Sequence, residues 1–208
     1  MIAARGGIFS RLAPEEAAVD LARLSGSLPM GVLCHILDQR GEPAGERDIA
    51  VFARAHGLTM ISSRSIAERR AELEPALWRC SEEIFDADMG GEWRLLRYEA
   101  VDGRLFVALQ RGPACGPVPM FVAWHHTALL DEMVGRSSEE NPTLRIIMQE
   151  ASTKGPALIA FASPDQIATS RGECLDERAP LNDATFVIRQ ILADIQRDSG
   201  AKLHSRSA

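Results

Sequence analysis

Pro14-Glu15-Glu16-Ala17-Ala18-Val19-Asp20-Leu21-Ala22-Arg23-Leu24, followed shortly by Gly31-Val32-Leu33-Cys34-His35-Ile36-Leu37, is the pair of stretches that sets the fold class. Pro14 suits a first helical position, and Glu15, Glu16 and Asp20 put negative charge near the positive end of the helix. Ala17, Leu21 and Leu24 recur at helical spacing, and Gly26 closes the helix. Residues 31–37 form a nearly continuous apolar run, which predicts a strand covered on both faces. A turn at Gly41, Pro43 and Gly45 leads into a helix with Ile49, Phe52 and Ala53 inward and Gly57 as its cap. Leu58 to Ile61 is a second strand candidate, and Ser63 opens a helix through Arg69 and Arg70. This alternation of helix and strand is an α/β pattern.

Downstream, the charged stretch from Arg69 to Asp88 reads as a junction. Beyond it the pattern becomes α+β. Glu92–Ala100 and Arg104–Gln110 flank Asp102-Gly103, a hairpin signal. Val118–Trp124 supplies a further strand. Asn141-Pro142 opens a helix carrying Leu144, Ile147, Met148 and Ala151, closed by Gly155. Ala157–Ala162 reads as a buried strand and Ala184–Ile195 as a final amphipathic helix. The expected division is 1–70, a linker at 71–88, a second unit at 89–197, and a polar, frayed tail at 198–208.

Composition narrows the function classes. The chain has 208 residues, 46% hydrophobic and 25% charged, with a net charge of −6. That balance argues against a nucleic-acid or membrane-surface binder, which needs a dominant basic face. No apolar run reaches the roughly 18 residues of a membrane helix, and residues 1–5 lack the core of an export signal. A cytoplasmic location is expected. Cys34, Cys80, Cys115 and Cys174 are scattered without zinc or redox spacing, which predicts free and mostly buried thiols. His125-His126 with His35 is a poor metal trio, because neighbours on a strand face opposite ways. Glu82, Glu83, Asp86 and Asp88 read as a solvated face. Trp78, Trp93 and Trp124 read as core or docking anchors.

The run Gly6-Gly7-Ile8-Phe9-Ser10-Arg11, the helix Glu16–Leu24 and Gly31-Val32-Leu33-Cys34 together carry a family resemblance. Their order and spacing resemble the C-terminal third of 3,4-dihydroxy-2-butanone 4-phosphate synthase. Phe52-Ala53, His56-Gly57-Leu58, Ile61 and Arg69-Arg70 continue it to about residue 70. In that family a divalent metal, magnesium, polarises the ribulose 5-phosphate carbonyl. A His from a Gly-His-Thr-Glu motif and a Glu on the following strand help to hold it. Here the motif reads Ala13-Pro14-Glu15-Glu16, so the ligand His is Pro14 and the strand Glu is His35. The motif's Thr, a phosphate contact, is Glu15, whose charge repels phosphate. Arg11 matches the family's phosphate-binding Arg and is the relic substrate contact implied. The family's acidic metal residues align before Met1, so the resemblance implies an N-terminally truncated, degenerate copy.

Trp93-Arg94-Leu95, Val101-Asp102-Gly103, Val107-Ala108-Leu109 and Val118–Val122 are similar to the early strands of GTP cyclohydrolase II, which is fused to the synthase in many bacteria. That enzyme holds zinc with three cysteines. Its His-Ser-Glu-Cys-Leu-Thr-Gly-Asp segment corresponds here to His125–Glu132, with Ala128 at the first ligand position and no cysteine pair following up to Gly155. Cys115 and Cys174 match no ligand position. The nucleotide-binding Arg-Gln-Glu-Gly stretch corresponds to Ser163–Gln166. The family's catalytic Asp-x-Arg falls on Leu181 and Asp183 when anchored on Gln190-Ile191-Leu192, which leaves Arg178 without a role.

The resemblance thus implies a synthase-type α/β fragment followed by a cyclohydrolase II-like mixed α/β unit, with no catalytic residue, no metal ligand and no cofactor expected. The function expected is that of a non-catalytic paralogue that binds or regulates enzymes of riboflavin biosynthesis. The alternative is a divergent synthase/cyclohydrolase, active only as a longer chain or in a complex. A homodimer, or docking onto a synthase homologue through residues 1–70, is the expected association. The incomplete sheet that the resemblance implies would leave apolar edges open.

Overall fold

The Asp102-Gly103 turn joins two long antiparallel strands, β2 (Gly91–Ala100) and β3 (Leu105–Arg111), and Gly103 supplies the positive φ of 89°. A computed structural model describes residues 2–88, 90–114, 120–125, 142–162 and 179–205, with side chains to 198. Around this hairpin lie β1 (Leu77–Ala87), β4 (Phe121–Trp124) and β5 (Ala157–Ala162), in the order β1-β2-β3-β5-β4. β1, β2, β3 and β5 pair antiparallel, whereas β4 runs parallel to β5. The sheet is therefore mixed, and the architecture is α/β.

Five helices accompany it among the described residues: α1 (Pro14–Leu24), α2 (Glu46–Ala55), α3 (Ser63–Leu73), α4 (Leu144–Lys154) and α5 (Ala184–Ser205). One sheet face presents Leu96, Tyr98, Phe106 and Leu158 to Val187, Ile191 and Ile195 of α5. Ile8 and Phe9, from a single 3-10 turn, and Ala67 of α3 complete that same core. Segments 1–70 and 89–197 thus share one hydrophobic core. The opposite face packs Trp93, Leu109, Ile159 and Phe161 against Ile147 and Ala151 of α4. Strand alternation divides these two sets, as period-2 geometry requires.

Four expectations are corrected. Gly31–Leu37 and Leu58–Ile61 form no strand: Val32 is 94% exposed and Ile61 56%. A strand buried on both faces needs neighbours, and every sheet strand among the described residues comes from residues 77–162. The supposed linker, 71–88, contains the end of α3 and the whole of β1, the edge strand that pairs with β2. Glu82, Glu83, Asp86 and Asp88 are exposed, as expected of a solvated face, and Glu82 also bonds Arg94 across the strands at 2.7 Å. The tail is helical to Ser205, because α5 runs on past Ile195. Cys34 and Cys80 are free but exposed, not buried. Val118 and Pro119 of the expected strand lie outside the described residues.

Candidate functional site

Gly6 and Gly7 take positive φ, 90° and 62°, and so turn the chain sharply enough to bury Ile8 and Phe9. The turn is held from α1. The Asp20 carboxylate, fully buried, accepts from the Ile8 N–H at 2.8 Å and from Arg70 Nη1 at 2.8 Å. Arg70 also donates to the Gly6 carbonyl at 2.7 Å and stacks over the Phe9 ring at 4.4 Å. Its Nε bonds Glu74. One buried guanidinium therefore ties the glycine turn, α1 and α3 together. Beyond the turn, Ser10 Oγ donates to Asp102, which in turn holds Arg104 and fastens the segment to the β2–β3 hairpin.

Arg11, the expected phosphate contact, lies next to this knot. Its Nη2 donates to Glu16 Oε1 at 2.6 Å, and the same oxygen accepts the Ala4 N–H at 2.9 Å. Glu16 is fully buried. Burial alone would raise its carboxyl, but the hydrogen bonds from Arg11 and Ala4 outweigh it and hold Glu16 below its ordinary value of 4.5. Pro14 is the first residue of α1, and Glu15 follows it in the first turn. His35 sits on the exposed stretch after α1, away from any sheet.

These residues do not fit magnesium. Pro14 has no side-chain donor atom, His35 is held by no sheet, and the Glu16 carboxylate is already bonded to Arg11 and Ala4. Among the described residues no three of His, Cys, Asp and Glu gather as a metal-holding group. Of the cyclohydrolase-like positions, His125 is described: it follows the end of β4, buried, edge-on to Phe161 at 6.0 Å. His126, Ala128, Cys115, Cys174, Ser163–Gln166 and Arg178 lie outside the described residues, apart from the strand positions already given. Leu181 is buried in the core facing α5, and Asp183 bonds the Thr185 N–H at that helix's start.

A second polar cluster joins α5 to the sheet edge. Arg79 donates to Asp194 at 2.6 Å and to Asp198 at 3.2 Å, and the Tyr98 hydroxyl donates to Asp194 at 3.0 Å. Burial, then the neighbouring Asp194 charge, push the Tyr98 phenol well above its usual range. These groups satisfy one another, and their effect is to fix α5. The Asp20–Arg70 knot has a single legible signal in the sequence, the Gly6-Gly7 pair, since residues 50 apart carry no local pattern.

The likeness to known proteins runs along most of the chain. The 3,4-dihydroxy-2-butanone 4-phosphate synthase family matches residues 1–69. A "3,4-dihydroxy-2-butanone 4-phosphate synthase" of Pseudomonas aeruginosa is 26% identical over 97% of this chain and 57% of its own length. A "Riboflavin biosynthesis protein RibBA" of Mycobacterium marinum is 31% identical over 75% of this chain and 38% of its own. Among solved structures, RibBX of A. baumannii, "a two domain 3,4-dihydroxy-2-butanone 4-phosphate synthase", superposes with a TM-score of 0.67. It is 22% identical and covers 94% of this chain and 54% of its own, so it speaks for the fold alone. The chain spans between about two fifths and three fifths of the length of these proteins. By its glycine turn, its first helix and the family match they lie in, the chain is related to the 3,4-dihydroxy-2-butanone 4-phosphate synthase family of riboflavin biosynthesis.

Proposed function

We propose that the chain serves riboflavin biosynthesis as a non-catalytic paralogue, binding or regulating enzymes of the pathway. One observation carries this reading. The positions that match the synthase's metal and phosphate contacts hold Pro14, His35 and Glu15, while the half-exposed Arg11 is ion-paired with buried Glu16. Polarising a sugar-phosphate carbonyl requires a metal held by converging donors, and these residues offer none that converge. A partner role draws support from Leu28, Met30, Val32, Leu37, Met60 and Ile61, all exposed within one stretch of the family-matching segment. Residues 89–197 are, in this reading, a degenerate cyclohydrolase II-like unit. The M. marinum alignment of 164 residues supports this, since it extends well beyond residues 1–69.

The test uses the purified chain with ribulose 5-phosphate and magnesium, then with GTP and zinc. No formate release and no loss of GTP are expected. Pro14→His with His35→Glu should leave formate at the blank level. Mixed with the P. aeruginosa synthase, the chain should shift that enzyme's mass or its turnover. Formate above blank from the wild-type chain, or GTP consumption with about one retained zinc per chain, would overturn the non-catalytic reading.

A further inference from the structure

Two guanidinium groups from neighbouring strands converge on one carboxylate oxygen near the end of α5. Asp198 Oδ2 accepts from Arg79 Nη1 of β1 at 3.2 Å and from Arg94 Nη2 of β2 at 3.3 Å. Each guanidinium is aimed by another carboxylate. Arg79 gives Nε and Nη2 to Asp194, at 2.9 and 2.6 Å. Arg94 gives Nε and Nη2 to Glu82, at 2.9 and 2.7 Å, and Nη1 to buried Gln110 at 2.9 Å. The two arginine side chains are only 18% and 21% exposed, so the N–H groups that meet at Asp198 are held in place and partly shielded from water. Asp198 itself is held less firmly. Ile195 is the last described residue of α5 in the core, and Gln196 and Arg197 after it are exposed.

We propose that Arg79 and Arg94 form a binding site for a tetrahedral oxyanion, a phosphate or phosphate-ester group, which the chain's own Asp198 fills as a built-in competitor. The site shares no residue with Arg11 or with the cyclohydrolase-like positions, and it goes beyond the proposed function. The fit of Asp198 is the imperfect one. Its bonds of 3.2 and 3.3 Å are the longest in the cluster and exceed the ordinary length of charge-assisted bonds. With Asp198 in place, three carboxylates face two guanidiniums, a surplus of negative charge. Its withdrawal removes that surplus and leaves two aimed donors with their common acceptor gone. A tetrahedral oxyanion replaces it well, because separate oxygens can take one N–H from each strand, whereas Asp198 meets both with a single oxygen. Val187, Ile191 and Ile195 keep the rest of α5 on the sheet, so the exchange concerns the helix past Ile195. Anion and helix end therefore compete, and the coupling runs both ways.

Inorganic phosphate is the probe, titrated calorimetrically into the full chain near neutral pH with ionic strength held constant by chloride. Asp198→Ala empties the site, and with its circular dichroism unchanged it should bind phosphate with a dissociation constant on the order of millimolar. The wild type, whose site is filled from within, should bind at least ~10-fold more weakly. Asp198→Ala/Arg94→Gln should not bind. In the wild type, phosphate should also quicken amide hydrogen exchange past Ile195, and chloride or acetate at matched ionic strength should not. Phenyl phosphate in place of phosphate tells an ester ligand from the free anion. Equal affinity in wild type and Asp198→Ala overturns the proposal, as does a folded Asp198→Ala that takes up no phosphate. Binding that survives Arg94→Gln, or exchange that chloride quickens as much as phosphate does, overturns it too. Should the double variant fail to fold, the exchange measurement on the wild type decides.

Discussion

Replacing Asp20 with Ala should unfold the whole chain more readily, not merely loosen its N-terminal segment. The carboxylate is fully buried and makes two bonds of 2.8 Å, one to the Ile8 N–H and one to Arg70. Its removal leaves Arg70, itself only 6% exposed, facing an emptied site. Breaking one partner of a buried pair costs about 3–5 kcal/mol. Arg70 keeps the Gly6 carbonyl and Glu74, which places the loss near the lower end. About 3 kcal/mol corresponds to a fall in melting temperature of roughly 6–12 °C for a chain of this size. Urea denaturation should be followed by far-ultraviolet circular dichroism and by tryptophan fluorescence, because Trp93 is buried on the opposite face of the sheet. Both signals should move together, since Ile8 and Phe9 share their core with Leu96 and Tyr98. The double variant Asp20→Leu/Arg70→Met should lose less than Asp20→Ala, since no charge is stranded. A loss under about 1 kcal/mol, or a helical transition that leaves the fluorescence transition in place, would show that the pair does not couple this segment to the sheet.

Two further outcomes follow from the same region. Gly7→Ala should destabilise by about 2 kcal/mol or more, because φ is 62° and a Cβ would meet Asp20 Oδ2 at 2.6 Å; a thermal melt matching wild type would contradict this. Glu16 has its folded pKa lowered, so its contribution is present above the ordinary value of 4.5 and is lost as pH falls through the folded value. The stability gap between wild type and Glu16→Gln should therefore be widest near neutral pH and narrow on acidification below 4.5; urea midpoints with a constant gap would argue against it.

The elements legible in the sequence are those whose own period and ends specify them. α1 begins at Pro14 as its acidic first turn suggests, and α3 begins after Ser62, whose side chain accepts the Ser65 N–H. The hairpin turns where Asp102-Gly103 places it, and the wholly apolar Ala157–Ala162 is β5, buried along nearly all its length. β1 is hidden in the sequence because its signal is not apolar. As an edge strand it carries Arg79, Glu82, Glu83 and Asp86, and alternation gives way to ion pairs with Arg94 and with Asp194 of α5. Gly31–Leu37 misleads for the opposite reason. Its composition is that of a strand, but a strand exists only with a neighbour, and no stretch of local sequence reports whether one is present. The resemblance singles out Pro14, Glu15, His35 and Arg11 by position. The pairing of Arg11 with buried Glu16 is not legible there, because a solvated arginine and a paired one have the same letter.

The family-matching segment therefore divides by physics into two parts that its sequence does not distinguish. The turn, α1 and α3 bury Ile8, Phe9, Ile66 and Ala67 and pair their charges with one another. Between α1 and α3, from Ser25 to Ser62, Ala53 is the one buried residue. The two stems of that excursion are clamped side by side by the Asp20–Arg70 pair, 50 residues apart in sequence. A clamp of this kind makes the excursion's stability local: what happens at Val32 or Ile61 reaches the core only through α1 and α3. Substitutions at the exposed Val32 should therefore leave the fold intact, whereas substitutions at the buried Asp20 should weaken it.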